Sequence, residues 1–209
     1  CMPGQFLIVR AYEDSERIPL TICDYDPEKG SVQIVFQVVG AESFRISKLN
    51  EGDSFKDVVG PLGRASEFVD EDIEELKKKR LLFIAGGVGT APVYPQLKWL
   101  KDRGVTADCI LGAKNRDFVI LEKEIGSVSN LYITTDDGSY GRSGMVTKCL
   151  EDLWNEGKRY DRAVAIGPMI MMKFVCRLTK ELEIPTIVSM NPIMVDGTGM
   201  CGACRLTVD

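Results

Sequence analysis

The sequence predicts a β domain followed by a doubly wound parallel α/β domain. Three observations carry this expectation. Residues 1–66 hold short β-rich runs parted by turn clusters such as DPEKG and NEGD. From Leu81 onward strand-like and helix-like runs alternate, the pattern of a parallel sheet wound with helices. Between them lies EFVDEDIEELKKKR, residues 67–80, whose charge density marks a solvated helix or linker.

In the β domain the runs are FLIVRAY (6–12), PLTICDY (19–25), SVQIVFQVV (31–39) and DSFKDVVG (53–60), with one helical stretch, ESFRISKL, before the last. β-Branched and aromatic residues recur in near alternation, which suits an antiparallel sheet or barrel. In the second domain, residues 81–190, the strands are LLFIAGG, ADCILGA, NLYITT, AVAIG and PTIVSM. The helices between them are APVYPQLKWLKDRG, FVILEKEI, GMVTKCLEDLWNEG and PMIMMKFVCRLTKELE. Residues 191–209 form a glycine-rich tail carrying Asp196, Cys201 and Cys204.

Composition narrows the chemistry. With 209 residues, 44% of them apolar and 27% charged, the chain is an ordinary globular protein of one or two domains. A net charge of -5 gives no electrostatic reason to expect nucleic acid or an anionic membrane. No apolar run reaches the roughly 18 residues of a membrane span, and no signal-peptide pattern opens the sequence. The absence of histidine excludes Ser/His and Cys/His nucleophile systems and His-ligated metals. Acid–base work would fall to carboxylates and lysines, unless a cofactor carries the reaction. Cys1, Cys23, Cys109, Cys149 and Cys176 are scattered, and the odd total of seven cysteines suits reduced thiols in the cytoplasm. Because the sequence starts at Cys1 and stops after a ligand-like cluster, we expect a piece of a longer chain.

In doubly wound sheets ligands sit beyond the carboxyl ends of the strands. The first strand here runs into Gly86-Gly87-Val88-Gly89-Thr90-Ala91-Pro92, where glycines let the backbone approach a pyrophosphate at a helix start. A tight turn packed for its own sake would look similar. The third strand, however, ends in Thr134-Thr135-Asp136-Asp137-Gly138-Ser139 and the fourth in Gly167-Pro168-Met169, so three small or polar strand ends share one edge.

A β domain followed by GGVGTAP, TTDDGS and GPMIMM resembles the ferredoxin–NADP reductase superfamily. That resemblance implies an FAD-binding antiparallel β-barrel over residues 1–66, with its first strand outside the given sequence. It also implies a pyridine-nucleotide domain over residues 81–190 that uses Gly87, Val88, Gly89, Thr90, Ala91, Pro92, Asp137, Gly138, Ser139, Gly167, Pro168 and Met169. Flavin contacts carry over onto Arg17, Ile18, Pro19, Leu20 and Thr21, where the superfamily has Arg-x-Tyr-Ser. Thr21 takes the place of the catalytic hydroxyl near the flavin's reactive nitrogen, and Leu20 replaces the tyrosine. Val35, Phe36 and Gln37 would offer backbone contacts, and Glu42-Ser43 stands where the family often has Gly-Thr at the pyrophosphate.

The spacing Asp196-x4-Cys201-x2-Cys204 resembles the C-x4-C-x2-C of plant-type [2Fe–2S] ligation, with aspartate first and the fourth ligand beyond Asp209. Glycines at 197, 199 and 202 let a loop wrap such a cluster. A thioredoxin-like disulfide and a zinc half-site are the rivals, and neither explains those glycines. The aspartate resembles the small subunits of NADH-dependent reduced ferredoxin:NADP oxidoreductase and sulfide dehydrogenase. The electron-transfer subunits of dihydroorotate dehydrogenase are next in likeness. The likeness implies a larger flavin and iron–sulfur partner subunit, with ferredoxin reached through it. A redox- or nucleotide-sensing subunit is the non-enzymatic alternative. With Asp136 and Asp137 in TTDDGS, the expected nucleotide is NAD(H) rather than NADP(H). Lys114 and Arg116 are the only opposing feature, read as a solvated loop.

Overall fold

A computed structural model describes residues 1–191 and 193–207. Two compact units result, Cys1–Ser66 with Asn191–Asp209, and Glu67–Met190.

The first unit contains strands β1 (Phe6–Arg10), β2 (Ile18–Asp26), β3 (Ser31–Ile34) and β4 (Asp57–Leu62) in the order β3-β2-β1-β4, all pairs antiparallel. Strand pleating sends alternate side chains to opposite faces. Leu7 and Val9 of β1 therefore enter a core with Ala11, Ile22 and Ile46, against which Ile18 and Leu20 of β2 pack. Their neighbours Phe6 and Ile8 pair with Thr21 and Pro19 on the opposite face. The expected strand over residues 31–39 stops at Ile34. Beyond it, the Ser43 hydroxyl accepts the N–H groups of Val39 and Gly40, both at 3.0 Å, which ties that backbone to the start of helix α1 (Ala41–Ile46) instead of a ladder. The strand expected from residue 53 begins only at Asp57, because Asp53 closes a turn by accepting the Asn50 N–H at 2.8 Å.

The second unit opens with the stretch expected to be a solvated helix or linker. Of the two readings, helix or linker, it takes the helical one: a 3-10 turn, Glu67–Asp70, and helix α2 (Ile73–Lys78), with a largely exposed charged face and Phe68 and Leu76 in the core. The parallel sheet contains β5 (Leu81–Gly86), β6 (Ala107–Ala113), β7 (Asn130–Thr135), a short β8 (Arg142–Ser143) that sequence patterning missed, β9 (Arg162–Ile166) and β10 (Thr186–Val188). Helices α3 (Thr90–Asp102), α4 (Glu122–Val128), α5 (Val146–Asn155) and α6 (Met169–Glu181) connect them. Every residue of β5 and β6 is buried, as strands covered on both faces require. The helix expected from Phe118 begins only at Glu122, since Leu121 at its cap sits in the left-handed region at φ 55°. Among the described residues no helix is long and apolar enough to cross a membrane.

Candidate functional site

Strand order locates the ligand edge of the second unit. The order is β10-β9-β5-β6-β7-β8. From β5 the chain steps outward through β6, β7 and β8, then crosses to the other side of β5 for β9 and β10. The topological switch point is therefore between β5 and β9, the place where open α/β sheets bind their ligands. The turns leaving these two strands are Gly87–Gly89 and Gly167-Pro168.

These turns touch backbone to backbone. A Cβ on Gly89 would lie 2.4 Å from the Ile166 carbonyl oxygen and 2.9 Å from Gly167 Cα. One on Gly167 would lie 3.1 Å from Gly86 N and Cα. Gly89 and Gly167 are thus required by the packing of the edge itself. Gly87 differs: its φ is +54° and nothing lies within 4 Å of where its Cβ would be, so its surroundings are open. Thr90 and Ala91 are buried, and the Thr90 hydroxyl donates to the Gly87 carbonyl at 2.8 Å, so both are scaffold beneath the turn. Val88, Pro168 and Met169 are exposed at the rim, and Pro92 is half-buried in the first turn of α3. Sequence reading did not single out Gly112, which pairs with Gly86 and whose Cβ would meet Val146 at 2.3 Å.

The acidic turn after β7 lies on the same edge, two strand spacings or about 10 Å from β5. There the Asp137 carboxylate accepts the Ser139 N–H at 2.9 Å, and Gly138 turns the chain at φ +72°. The hydroxyl and N–H of Ser139 hold the Asp137 carboxyl below the ordinary carboxylate range.

In the first unit, Pro19 and Thr21 are half-buried on the sheet face that points away from the core. Leu20, standing where a tyrosine was anticipated, faces the core, which an apolar side chain suits. Arg17 is exposed and pairs with Asp57 at 3.3 Å. Phe36 packs on the core while Val35 is half-buried and Gln37 exposed. Glu42 pairs with Arg45 at 3.4 Å, and the Ser43 hydroxyl is engaged in the helix cap.

The C-terminal loop packs on this same outer face. A Cβ on Gly197 would lie 2.5 Å from Ile8 Cδ1 and 3.3 Å from Leu62 Cδ1. Asp196 accepts the N–H groups of Thr198 at 2.8 Å and Cys201 at 2.9 Å, bonds that keep its carboxyl below the usual range, Thr198 foremost. Cys201 and Cys204 are exposed free thiols, and Cys201 Sγ accepts the Ala203 N–H at 3.5 Å. Two thiols, an ionised carboxylate and glycines at φ +74°, +88° and +64° suit an iron–sulfur cluster in donor type and loop flexibility. Among the described residues, however, no group of three His, Cys, Asp or Glu side chains stands close enough together to hold a metal ion. Val208 and Asp209, the end of the expected RLTVD strand, lie outside the described residues, as does Pro192.

No protein-family model matches the chain. An uncharacterised protein from the adh 3′ region of Clostridium beijerinckii is 61% identical over 208 residues, covering 99% of this chain and 70% of that protein. The "dihydroorotate dehydrogenase B (NAD(+)), electron transfer subunit homolog" of Thermotoga maritima is 45% identical over 206 residues, again 99% of this chain and 70% of that protein. A solved structure of NADH-dependent reduced ferredoxin-NADP oxidoreductase, described for its insights into flavin-based electron bifurcation, aligns with a TM-score of 0.89 at 43% identity. It covers 100% of this chain and 72% of that chain. The cytochrome b5 reductase domain of Ulva prolifera nitrate reductase shares the fold, with a TM-score of 0.67 at 19% identity over 90% of this chain and 85% of that one. The chain therefore belongs to the family of dihydroorotate dehydrogenase B electron transfer subunits and their homologues, on the reductase fold that its motifs anticipate.

Proposed function

We propose that this chain passes electrons between NAD(H), FAD and a [2Fe–2S] cluster and on to a larger partner subunit. The observation that carries the reading is the paired turns at the β5/β9 switch point, where Gly87 is open while Gly89 and Gly167 bring the two backbones together. Backbone N–H groups at such a turn favour a pyrophosphate. Asp137 would accept a hydrogen bond from the adenosine ribose, and NAD(H) is the nucleotide expected.

FAD would lie on the first unit against Arg17, Ile18, Pro19, Leu20 and Thr21. Its support is the outer face, where Pro19 and Thr21 stand half-buried and open to a flat ring. The Thr21 hydroxyl would hydrogen-bond the ring near its reactive nitrogen. Asp196, Cys201 and Cys204 would hold the cluster with a fourth ligand from beyond residue 209. When bound, FAD would supply hydride and one-electron chemistry and a cluster one-electron chemistry, while Thr21, Asp196, Cys201 and Cys204 would hold and orient them. The residues of this chain orient these groups and need supply no general base, which suits a protein without histidine. Pleating places Thr21 and the seat of the cysteine loop on one sheet face, through Phe6 and Ile8. The free thiols fit a reducing, cytoplasmic setting.

The test is the visible spectrum of the full-length protein purified without oxygen. A flavin doublet with broad charge-transfer absorption, both bleached by NADH, is expected. A colourless protein that binds no added flavin would overturn the proposal.

A further inference from the structure

The choice between a ribose 2′-hydroxyl and a 2′-phosphate turns on the charges beside β7, an argument that rests on the nucleotide site proposed above. Two loops at that edge are zipped together. Asp136 N donates to the Ala113 carbonyl at 3.0 Å, Asp137 N to the Lys114 carbonyl at 3.3 Å, and Arg116 N to Ser139 Oγ at 3.0 Å. The backbone of Lys114 and Arg116 is thereby tied to the rim that also carries Asp136 and Asp137, while both residues remain exposed.

Arg116 is the group that could admit a 2′-phosphate, because a guanidinium fork matches a phosphate's oxygens. It is engaged elsewhere: its Cζ lies 5.1 Å from the centroid of the Tyr140 ring, in cation–π range. Tyr140 is held at three points, two on its backbone and one on its ring. Thr135 Oγ1 accepts the Tyr140 N–H at 3.0 Å and donates to the Tyr140 carbonyl at 2.8 Å. The Tyr140 hydroxyl donates to Glu122 Oε1 at 2.6 Å. Glu122 opens α4, and its hydrogen bond foremost, then its charge, holds the Tyr140 phenol above its ordinary range, with the Arg116 guanidinium acting in the opposite sense. Both charges therefore bear on one side chain at the rim.

We propose that Glu122, acting through Tyr140 on Arg116, is a specificity-determining residue that favours nucleotides with a free 2′-hydroxyl over those with a 2′-phosphate. The carboxylate anchors the ring, the ring holds the guanidinium in cation–π range, and the negative charge opposes a phosphate dianion. Neither Glu122 nor Tyr140 touches the reacting atoms, so their effect falls on selection and not on hydride transfer.

Binding of NADH and NADPH to the full-length protein, followed by the fluorescence of the reduced nicotinamide, reads the effect directly. Glu122→Gln removes the charge and keeps the shape. It should shift the NADPH-to-NADH affinity ratio toward NADPH by about tenfold, about 1.4 kcal/mol. Tyr140→Phe, which cuts the link to Glu122, should shift it in the same direction as Glu122→Gln. If Glu122→Gln does not fold, Tyr140→Phe decides the question alone. Equal changes in both affinities, or a wild-type protein that prefers NADPH, would refute the role of Glu122 and leave the nucleotide site standing. A wild-type protein that binds neither nucleotide would remove the site and this inference together.

Discussion

Replacing Gly89 with alanine separates what the β5/β9 edge needs for folding from what it offers a ligand. The added methyl would sit 2.4 Å from the Ile166 carbonyl oxygen and 2.8 Å from its carbon, both backbone atoms at the end of a buried strand. No flexible side chain can swing aside there, so the turn itself must move. Overpacking of this kind costs about 1–3 kcal/mol. In a protein of this size each kcal/mol lowers Tm by about 2–4 °C, so a drop of roughly 2–12 °C is expected. Gly87→Ala is the counterpart. Its methyl enters open space, and the penalty is confined to φ +54°, about 1–2 kcal/mol for a non-glycine residue in the left-handed region. The two variants should therefore rank in opposite orders in two assays. Thermal melting followed by circular dichroism should show the larger loss for Gly89→Ala. NADH titration should show the greater weakening per degree of Tm lost for Gly87→Ala, where the methyl fills the approach to a ligand. A Gly89→Ala protein that melts like the wild type would refute the packing argument. Unaltered NADH affinity in Gly87→Ala would remove Gly87 from the site.

Three further outcomes follow from the same structure. Leu76→Ala should cost about 2–4 kcal/mol in urea unfolding, because the side chain is fully buried; a surface-like change below about 0.5 kcal/mol would restore residues 67–80 to the status of a linker. Asp161, bonded to the side chain and N–H of Arg80, has its carboxyl lowered to about 2 from 3.8. A lowered folded-state value gives stability that is present above the unfolded pKa and lost as pH falls through the folded one. Asp161→Asn should thus be less stable than wild type at pH 6, by under about 1 kcal/mol for so exposed a pair, and the gap should close as pH falls from about 4 to 2; a gap independent of pH would deny the ion pair any part in it. Cys201→Ser in the full-length protein should alter the paramagnetic signal of the cluster proposed above, on reduction, while flavin content stays constant, and an unchanged signal would exclude Cys201 as a ligand.

Periodicity made the sheet strands legible because β5 is apolar throughout and β6 is apolar but for Asp108, and runs of that kind parted by turn residues have few other readings. The failures have local causes. Residues 67–80 look solvated because ten of the fourteen are charged, yet Phe68 and Leu76 are buried with Val69 and Ile73 packed beside them: Phe68 meets the Phe83 ring edge-on at a centroid distance of 6.4 Å. Charge density reports on the face a helix shows to water and says nothing of the one it hides. The site shows the same limit. The glycines at 87, 89 and 167 stand out in sequence, but they look alike there, and only the strand order reveals that Gly89 and Gly167 face each other's backbone while Gly87 faces open space. Tyr140 and Glu122 carry no signal at all, being 18 residues apart and joined only because β7 returns beside the loop that leaves β6. Motifs mark where backbone must be unusual, whereas pairings between loops depend on register, and register emerges only once the sheet has formed. The residues that tune a site assembled from several strand ends are for that reason the ones a motif is least able to name.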